Sequence, residues 1–444
     1  MENNNQHKMS RREALKIFGT GTLGLVVAGS GISAFATCAP KSKELEFPEA
    51  TVGKHNYKDT DEQVSMLAFG MMRLPMTGEN VIDEELAQQL VDYAYAHGVN
   101  YFDTAWNYIS GTSEPFTGKA LKKYPRETLR IATKMPSWLI DSLETGKKTF
   151  QTQLDRLQTT YIDYYLLHAL SSKEQFENAY QKTGVLEYLK GEKAAGRIRH
   201  LGFSFHGDMD SLEYILNSNE WDFVQIQLNY YDWDLGAKEQ YETLHAKGIP
   251  IMVMEPCRGG MLAKLTPDAE KILKQKNPDS SIASWAFRYC ASLPGVLTIL
   301  SGMNVLDHVK DNIHTLSNEF KPLDVDEKQA LEQAVAIFKK TRPVRCTACR
   351  YCMPCPKGVL IPDIFAFYND CVNDSVVPDL DAPDTKEFRK RKKEFMERYA
   401  KIPEAGLPEH CVRCQKCVRM CPQHINIPDE LSRIAALVES VKNA

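Results

Sequence analysis

The sequence predicts an α/β fold: a (β/α)8 TIM barrel followed by a smaller, mostly α-helical domain that is rich in cysteine. Short apolar or β-branched runs alternate eight times with amphipathic stretches between residues 66 and 301. So many alternations over about 250 residues fit a closed parallel barrel better than an open sheet. Eight of the 12 cysteines lie in two tight groups after residue 345. The length of 444 residues therefore suits a barrel with a tail better than a single domain.

The composition is that of a packed globular protein, with 43% hydrophobic and 25% charged residues. The 54 basic and 58 acidic side chains leave a net charge of −4. This balance argues against the strongly basic surface that is typical of nucleic-acid or membrane-surface binders. We therefore expect no nucleic acid among the partners.

The first 36 residues predict an export signal rather than part of the fold. Ser10-Arg11-Arg12 and the residues to Lys16 resemble the twin-arginine signal, and a Gly-rich, weakly apolar run leads to the small-residue site 34–36. This signal predicts that the twin-arginine translocase carries the folded chain to the periplasm. A lipid anchor on Cys38, which would tie the protein to the membrane, stays open as an alternative. Residues 37–54 are interpreted as a linker, 55–322 as the barrel and 323–444 as the tail.

Eight strand candidates follow the linker in order. Between them lie amphipathic helices such as 84–97 and 184–195, and Gly98, Gly196 and Gly248 stand where helices should end. The strand candidates are 66–71, 100–104, 129–134, 163–168, 198–204, 223–227, 249–254 and 296–301.

Polar residues lie at the ends of three successive predicted strands. Asp103 and Tyr108 follow the second strand, Lys134 ends the third and His168 ends the fourth. Each of them alone is better explained by a structural role. Because the carboxyl ends of barrel strands meet at one face, the four together predict an active site there.

The four residue types suit the reduction of a carbonyl or the reverse reaction. A carbonyl that receives a hydride needs a proton, and a tyrosine hydroxyl with a pKa near ~10 is a weak acid. A neighbouring ammonium is expected to lower that pKa. We expect Asp103 to hold Lys134 charged, Tyr108 to donate the proton and His168 to orient the oxygen of a small carbonyl or alcohol substrate.

These residues resemble the aldo/keto reductase superfamily over about residues 55–320. The resemblance rests on the stretch 98–105, on Tyr108 five residues after Asp103, on Lys134 and His168, and on the early stretch 69–75. It implies a nicotinamide cofactor, NAD(P)(H), held without a Gly-rich dinucleotide loop. Export favours a cofactor that stays tightly bound, because free NADPH is scarce outside the cytoplasm.

The resemblance also implies which residues hold this cofactor, with several departures from the family. Ser204 is followed by Phe205 rather than Asn, and Met254 stands where the family often has an aromatic ring. Gly302 and His308 occupy the places of basic residues that grip a 2′-phosphate, so a preference for NADP is in doubt. Gln225 and Gln227 share one strand face, and either could supply the amide contact. The implied set is Gly70, Met72, Arg73, Ser204, Gln225, Gln227, Met254, Ser301, Gly302, Met303 and Asn312.

The tail carries two cysteine runs that predict two [4Fe–4S] clusters. The second run has the spacing C-x2-C-x2-C-x3-C-P of bacterial ferredoxins, and the first has one residue fewer before its last cysteine. Zinc sites and disulfides are alternatives that fit triplets of cysteines poorly. By analogy with ferredoxins, Cys355 and Cys421 would each ligate the cluster of the other run, although the shortened spacing leaves this open. The predicted ligands are Cys346, Cys349, Cys352, Cys355, Cys411, Cys414, Cys417 and Cys421.

Together these features predict an exported oxidoreductase that interconverts a carbonyl and an alcohol. The clusters would either pass electrons to a redox protein or membrane acceptor, through a converter not yet identified, or support the fold. The alternative is a barrel scaffold without activity that carries an electron-transfer module for a membrane partner. The intact set of four polar residues favours an enzyme. The basic run 386–393 is interpreted as a solvated helix face rather than a docking site, and Cys257, Cys290 and Cys371 as packing residues.

Overall fold

The computed structural model describes residues 49–383 and 385–444. The predicted export signal and Cys38 lie outside these residues. Among the described residues, no helix is long and apolar enough to cross a membrane. Val52, placed in the predicted linker, is 1% exposed and bridges to Ser317, so the packed part of the chain begins before residue 55.

Twelve short strands are present in the described residues. The strands are β1 (Lys54–Asn56), β2 (Gln63–Ser65), β3 (Leu67–Gly70), β4 (Met76–Gly78), β5 (Val81–Ile82), β6 (Tyr101–Asp103), β7 (Arg130–Pro136), β8 (Ile162–Leu170), β9 (Ile198–Phe205), β10 (Phe223–Gln227), β11 (Ile251–Met254) and β12 (Val296–Ser301).

Eight of these strands form the predicted barrel, in the order β3-β6-β7-β8-β9-β10-β11-β12. All neighbouring pairs are parallel, and β12 pairs with β3 through Ile299 and Leu67, which closes the sheet and removes its free edges. The fold class and all eight strand predictions are confirmed, with ends that shift by up to a few residues. The antiparallel hairpin β1–β2 was not predicted, because strands of three residues carry too little periodicity to be recognised.

The helices surround the barrel and build the tail. They are α1 (Glu84–Ala96), α2 (Ser113–Leu121), α3 (Leu143–Leu157), α4 (Lys173–Phe176), α5 (Val185–Ala194), α6 (Met209–Ser218), α7 (Ala237–Ala246), α8 (Pro267–Lys276), α9 (Ile282–Ala291), α10 (Leu306–Thr315), α11 (Val325–Lys340), α12 (Ile361–Asn373), α13 (Lys386–Tyr399), α14 (Lys416–Arg419) and α15 (Ile427–Asn443).

The tail is helical, as predicted, and has its own core. Helix α11 begins at a capping box formed by Asp324 and Glu327, and it buries Leu331 and Phe338 in a cluster shared with α8. Helices α12, α13 and α15 bury a separate apolar cluster that includes Cys371. No strand occurs in residues 345–383 or 385–444. All regular secondary structure in the described residues of the tail is therefore helical.

Alternation along the strands decides which side chains enter the barrel. Tyr101, Ala132 and Tyr164 lie in the inner apolar cluster, while their neighbours Phe102, Ile131 and Tyr165 pack in the layer between the sheet and the helices. Because side chains alternate with a period of two, the inward set continues toward the carboxyl ends of β6, β7 and β8.

Candidate active site

The inward alternation brings three of the four predicted residues together. Asp103 lies two residues after Tyr101, Lys134 two after Ala132, and His168 four after Tyr164, so all three continue the inner row of their strand. Tyr108 follows on the loop after β6 and is buried. All four residues line one cavity of about 350 Å³ at the carboxyl end of the barrel.

Asp103 and Lys134 form a buried ion pair. The Lys134 Nζ donates to both carboxylate oxygens of Asp103, at 2.7 and 2.8 Å, and to the carbonyl oxygen of Thr104 at 2.8 Å. The side chains are 2% and 0% exposed. Burial raises the pKa of Asp103 and lowers that of Lys134, while each charge opposes the shift of the other. The pair is thereby fixed beneath Tyr108.

The Tyr108 ring lies over this pair, with the Lys134 Nζ 4.8 Å from the ring centroid. Burial raises the pKa of the Tyr108 hydroxyl well above its ordinary value, and the Asp103 carboxylate adds to the rise. The pKa thus shifts in the direction opposite to the expected lowering, because burial is the largest cause and Asp103, Tyr351 and Glu255 add to the rise. Tyr108 therefore keeps its proton at neutral pH, as a proton donor requires.

His168 faces Tyr108, and the two ring centroids are 6.0 Å apart in an edge-on arrangement. Burial and the nearby Lys134 charge lower the pKa of His168 well below its ordinary value, so the imidazole is neutral. Its Nδ1 atom is buried without a hydrogen-bond partner. The half-exposed Trp138 lies 5.1 Å from His168, ring centroid to centroid.

Most of the residues implied for the cofactor line the same cavity. They are Gly70, Met72, Arg73, Ser204, Gln225, Met254, Ser301, Gly302 and Asn312. Met303 is fully buried in the core and is not among the residues that line the cavity, so its role in cofactor binding stays a prediction.

The structure separates the two glutamines that the strand pattern could not distinguish. Gln225 lines the cavity, and its Oε1 is buried without a hydrogen-bond partner. The Gln227 amide instead donates to Asp232 Oδ2 at 2.6 Å and to Gln423 Oε1 at 2.9 Å. The Gln225 Oε1 is thus available to a ligand amide, whereas the Gln227 side chain is hydrogen-bonded to Asp232 and to the tail.

The far end of the cavity carries polar groups after β12. Asn312 donates to Ser301 Oγ at 3.0 Å, and Ser281 donates to Asp311 Oδ2 at 2.6 Å. Asp311 and His308 both line this end. Burial raises the pKa of Asp311 and lowers that of His308.

The cysteine-rich tail completes the wall of the cavity, which the sequence did not predict. The residues that it contributes are Thr347, Cys349, Tyr351, Pro422 and Gln423. Tyr351 lies between two predicted cluster ligands and close enough to Tyr108 to add to its raised pKa. Local sequence patterns do not show which surfaces of two domains meet, so this arrangement needed the structure.

A buried arginine joins the tail to the barrel. Arg258 is 2% exposed; its Nε donates to Asp232 Oδ2 at 2.7 Å and its Nη2 to Gln423 Oε1 at 2.8 Å. Gly259 has a φ of +68°, and a Cβ there would stand 2.2 Å from the Thr347 carbonyl oxygen. A glycine is therefore required for the tail to approach this closely.

The eight predicted ligands fall into two groups, each drawn from both runs. We call the cysteines around the small cavity next to the barrel the first group: Cys346, Cys349, Cys352 and Cys421. We call Cys355, Cys411, Cys414 and Cys417 the second group. These cysteines surround a separate cavity of about 380 Å³, which Cys352 also borders. Burial raises the pKa of Cys352 and of Cys417. The other three thiols of the first group add to the rise for Cys352, and the other three thiols of the second group add to the rise for Cys417. This grouping matches the exchange of last cysteines expected from ferredoxins.

The backbone of both runs has the same unusual form. Ala348 and Arg350 have positive φ angles of 51° and 64°, and Arg413 and Gln415, at the same offsets in the second run, have 54° and 64°. Alternation of left-handed and ordinary residues turns successive N–H groups to one side, which makes the anion-binding concavity found at many iron–sulfur sites. Such a site fits the dianionic charge of a thiolate-bound cluster.

The cysteine groups fit clusters better than zinc. Among the described residues, no three His, Cys, Asp or Glu side chains are arranged to hold one metal ion. A zinc ion needs its ligands at bond lengths of ~2.3 Å around one point, whereas a cubane binds each thiolate to a different iron. The spacing of the thiols in these groups therefore suits iron–sulfur clusters better than zinc ions.

The remaining candidates have structural roles. Cys290 and Cys371 are fully buried in apolar clusters, and Cys257 lines the cavity with a pKa that burial raises, which makes it an unreactive thiol. The basic run lies on α13, where Phe388 and Phe395 are buried and Lys393 is exposed, so it is a solvated helix face.

Comparisons with known proteins agree with this division of the chain. The profile of the Aldo/keto reductase family matches residues 66–335, which is more than half of the chain. The profile of the 4Fe-4S dicluster domain matches residues 345–426.

Known relatives match the barrel. The uncharacterized oxidoreductase YqkF of Bacillus subtilis is 24% identical over 63% of this chain and 98% of its own length. The NADH-specific methylglyoxal reductase of Escherichia coli is 26% identical over 57% of this chain and 90% of its own. The holo form of an aldo-keto reductase from Bacillus halodurans superposes with a TM-score of 0.54, at 26% identity, over 64% of this chain and 96% of its own. An aldo-keto reductase from Klebsiella pneumoniae in complex with NADPH shares the fold, with a TM-score of 0.50 and 20% identity, over 62% of this chain and 92% of its own. The chain therefore belongs to the aldo/keto reductase family, and it is an oxidoreductase whose barrel is followed in the sequence by a 4Fe-4S dicluster domain.

Proposed function

We propose that the protein interconverts a small carbonyl and an alcohol in the barrel cavity and exchanges the electrons with two [4Fe–4S] clusters. One observation carries the proposal: Cys349, in the first cysteine group, lines the same cavity as Tyr108 and His168. An electron-transfer module that only shared a chain with the barrel would have no reason to form part of its catalytic cavity. The alternative of an inactive scaffold is not favoured, since the four polar residues meet in that cavity.

In this proposal Tyr108 donates its proton to the carbonyl oxygen during reduction. Its raised pKa keeps the hydroxyl protonated, and the neutral His168 hydrogen-bonds the same oxygen and orients it. Asp103 holds Lys134 in place, so that the Lys134 ammonium lies 4.8 Å from the centroid of the Tyr108 ring. A bound nicotinamide supplies the hydride for reduction, or accepts it in the reverse direction.

The residues for that nicotinamide are those that line the cavity with unused hydrogen-bonding capacity. The free Oε1 of Gln225 suits the carboxamide, with Ser204 beside it and Met254 in place of the family's aromatic ring. Gly302 and His308 stand where the family resemblance places the basic residues that grip a 2′-phosphate, and Asp311 lines the same cavity. We therefore propose a dinucleotide without that phosphate, NAD(H), as the better ligand.

The clusters match the electron count of this reaction. Oxidation of one alcohol would pass a hydride to the bound nicotinamide and a proton to the Tyr108 phenolate. Return of NADH to NAD⁺ would then release one proton and two electrons, and a two-to-one-electron converter would pass one electron to each of two [4Fe–4S] clusters. The first group would exchange electrons with the cavity, and the second group would hold the outer cluster. Clusters that only supported the fold would not need a ligand cysteine in the cavity wall.

Replacement of the proposed proton donor tests the catalytic part. With reduced viologen as the electron source and methylglyoxal as the carbonyl probe, Tyr108→Phe should lower the rate by about 100-fold or more. Tyr101→Phe is the matched control, because this buried hydroxyl lies in the inner core and makes no hydrogen bond. Equal rates in the Tyr108 and Tyr101 variants would overturn the assignment.

We further propose that the twin-arginine translocase exports the folded protein to the periplasm. The support is the sequence from Ser10 to Lys16, which resembles the twin-arginine signal, and its fit with a protein that acquires clusters before export. Replacement of Arg11 and Arg12 by lysine should hold the protein in the cytoplasm, as measured by cell fractionation. Unchanged periplasmic protein would contradict this route.

A further inference from the structure

The second cysteine group lies at the surface of the tail. Cys414 is exposed, and residues 412–416 around it are all exposed. The first group is only partly buried too, but it is covered on one side by the barrel cavity that Cys349 lines. A cluster in the second group would therefore be the one that a partner protein could approach.

The surroundings of the second group are positively charged. Its cavity is lined by Lys357, Arg413, Lys416 and Arg419 and by no carboxylate. Of these four, only Arg413 pairs with a carboxylate, that of Asp429, among the residues that the structure describes. The other three cations remain available for contacts with another molecule.

Two apolar side chains lie among these cations. Val412 is 58% and Met420 54% exposed, and both line the same cavity. Methionine and arginine are enriched in protein interfaces, and a cationic rim around a small apolar centre is typical of a surface that binds an acidic protein. We call Lys357, Val412, Arg413, Lys416, Arg419 and Met420 the cationic rim.

Neutralisation of the cluster's own charge does not account for the rim. Both clusters would carry the same charge, yet the cavity of the first group is lined by a single cation, Arg350. The cations are thus concentrated around the exposed group. This asymmetry favours a role outside the cluster.

We propose that the cationic rim docks an acidic protein that carries a one-electron centre. The proposal rests on the proposed function, because it needs a cluster in the second group. In each encounter one electron moves between the partner's centre and that cluster, so that one is oxidised as the other is reduced and no atom is transferred. Two encounters balance the two electrons of one carbonyl reduced or one alcohol oxidised.

Binding of carrier proteins of opposite charge to the intact, anaerobically purified protein tests the proposal. The probes are an acidic plant-type [2Fe–2S] ferredoxin and the basic cytochrome c, titrated calorimetrically at several salt concentrations. The ferredoxin should bind, its affinity should fall as salt rises, and cytochrome c should show no saturable binding. Binding of both carriers, or binding that ignores salt, would overturn the proposal.

A matched pair of double variants locates the surface. Lys416→Glu with Arg419→Glu should weaken ferredoxin binding by about tenfold or more, because the rim reverses its charge. Lys390→Glu with Lys393→Glu makes the same change in net charge on the exposed face of α13 and should leave the affinity within about twofold. Equal weakening by both doubles, or weakening by the second alone, would overturn the assignment of the surface.

The reduction potential of the clusters, the ferredoxin affinity and the rate of carbonyl reduction together separate this proposal from the proposed function. If the rim double changes the reduction potential of a cluster but not the ferredoxin affinity, the rim only tunes the cluster and docking is refuted. If the ferredoxin binds at the rim but its electrons never reach a carbonyl in the cavity, docking stands and the proposed function fails.

Discussion

At the scale of single residues, the site depends on charges and protons that burial holds in place. The strand pattern was enough to predict that Asp103, Lys134 and His168, which lie at the ends of predicted strands, meet at one face of the barrel. It could not separate Gln225 from Gln227, because both point inward and only the tail decides which of them stays free. Nor could it show that burial raises the pKa of Tyr108, since the depth of a side chain depends on the whole fold.

The direction of these pKa shifts predicts the pH dependence of reduction. Tyr108 must be protonated to donate, and its raised pKa keeps it so through pH 10. The pKa of His168 is well below its ordinary value of 6.5, so the imidazole is already neutral at pH 6.5. Thus kcat/KM for carbonyl reduction should show no step near pH 6.5 or pH 10, whereas alcohol oxidation, which needs the phenolate, should rise with pH. A step in kcat/KM near pH 6.5 that is absent from the His168→Gln variant would contradict this prediction.

The far end of the cavity predicts a preference between dinucleotides. The carboxylate of Asp311 would repel a 2′-phosphate, so NADH should bind more tightly than NADPH in a fluorescence titration of the intact protein. Asp311→Asn should reduce the difference in affinity between NADH and NADPH, chiefly because NADPH binds more tightly. Asp307→Asn, one turn before it on α10, serves as the control. Tighter binding of NADPH by the unmodified protein would refute the assignment.

At the scale of elements, each of the two cysteine groups draws thiols from both runs. Their spacing was enough to predict clusters, but the shortened first run left the exchange of Cys355 and Cys421 open. The structure places Cys421 beside the first run and Cys355 beside the second, because α12 and α15 bring the two runs together. Such a meeting of distant segments is beyond what local patterns can predict.

Iron content of double cysteine variants tests this grouping. Cys349→Ala alone should lose one cluster and about half of the iron. Adding Cys421→Ala should lower the iron content little further, because both cysteines belong to the first group. Adding Cys355→Ala instead should remove the second cluster as well. Cys371→Ala is the control and should keep all of the iron. The opposite ranking of the two doubles would show that each run holds its own cluster.

The buried arginine between the domains predicts a stability effect. Arg258→Met would leave the buried Asp232 carboxylate without its cationic partner and with only the neutral donors Gln227 and Asn229, at a cost of up to about 3–5 kcal/mol. The thermal midpoint should fall, and limited proteolysis should cut between α11 and the first cysteine run. Lys276→Met breaks an exposed pair with Asp326 and should change little. Equal midpoints in the two variants would show that Arg258 does not hold the tail.

At the scale of the whole molecule, the barrel and the tail share one cavity. Composition, eight-fold alternation and cysteine spacing were enough to predict both domains and most of their functional residues. They could not predict that Cys349 and Tyr351 reach the catalytic cavity, because each domain's pattern is complete without the other. That shared wall is what suggests an electronic connection between Tyr108 and the clusters.

Reoxidation of reduced clusters by a carbonyl measures this connection most directly. The protein is reduced with dithionite, freed of excess reductant and mixed anaerobically with methylglyoxal while cluster absorbance and electron paramagnetic resonance are followed. The account predicts that the clusters reoxidise, that one alcohol forms for every two electrons they lose, and that Tyr108→Phe blocks both. Clusters that stay reduced while the same protein forms alcohol from added NADH would contradict it.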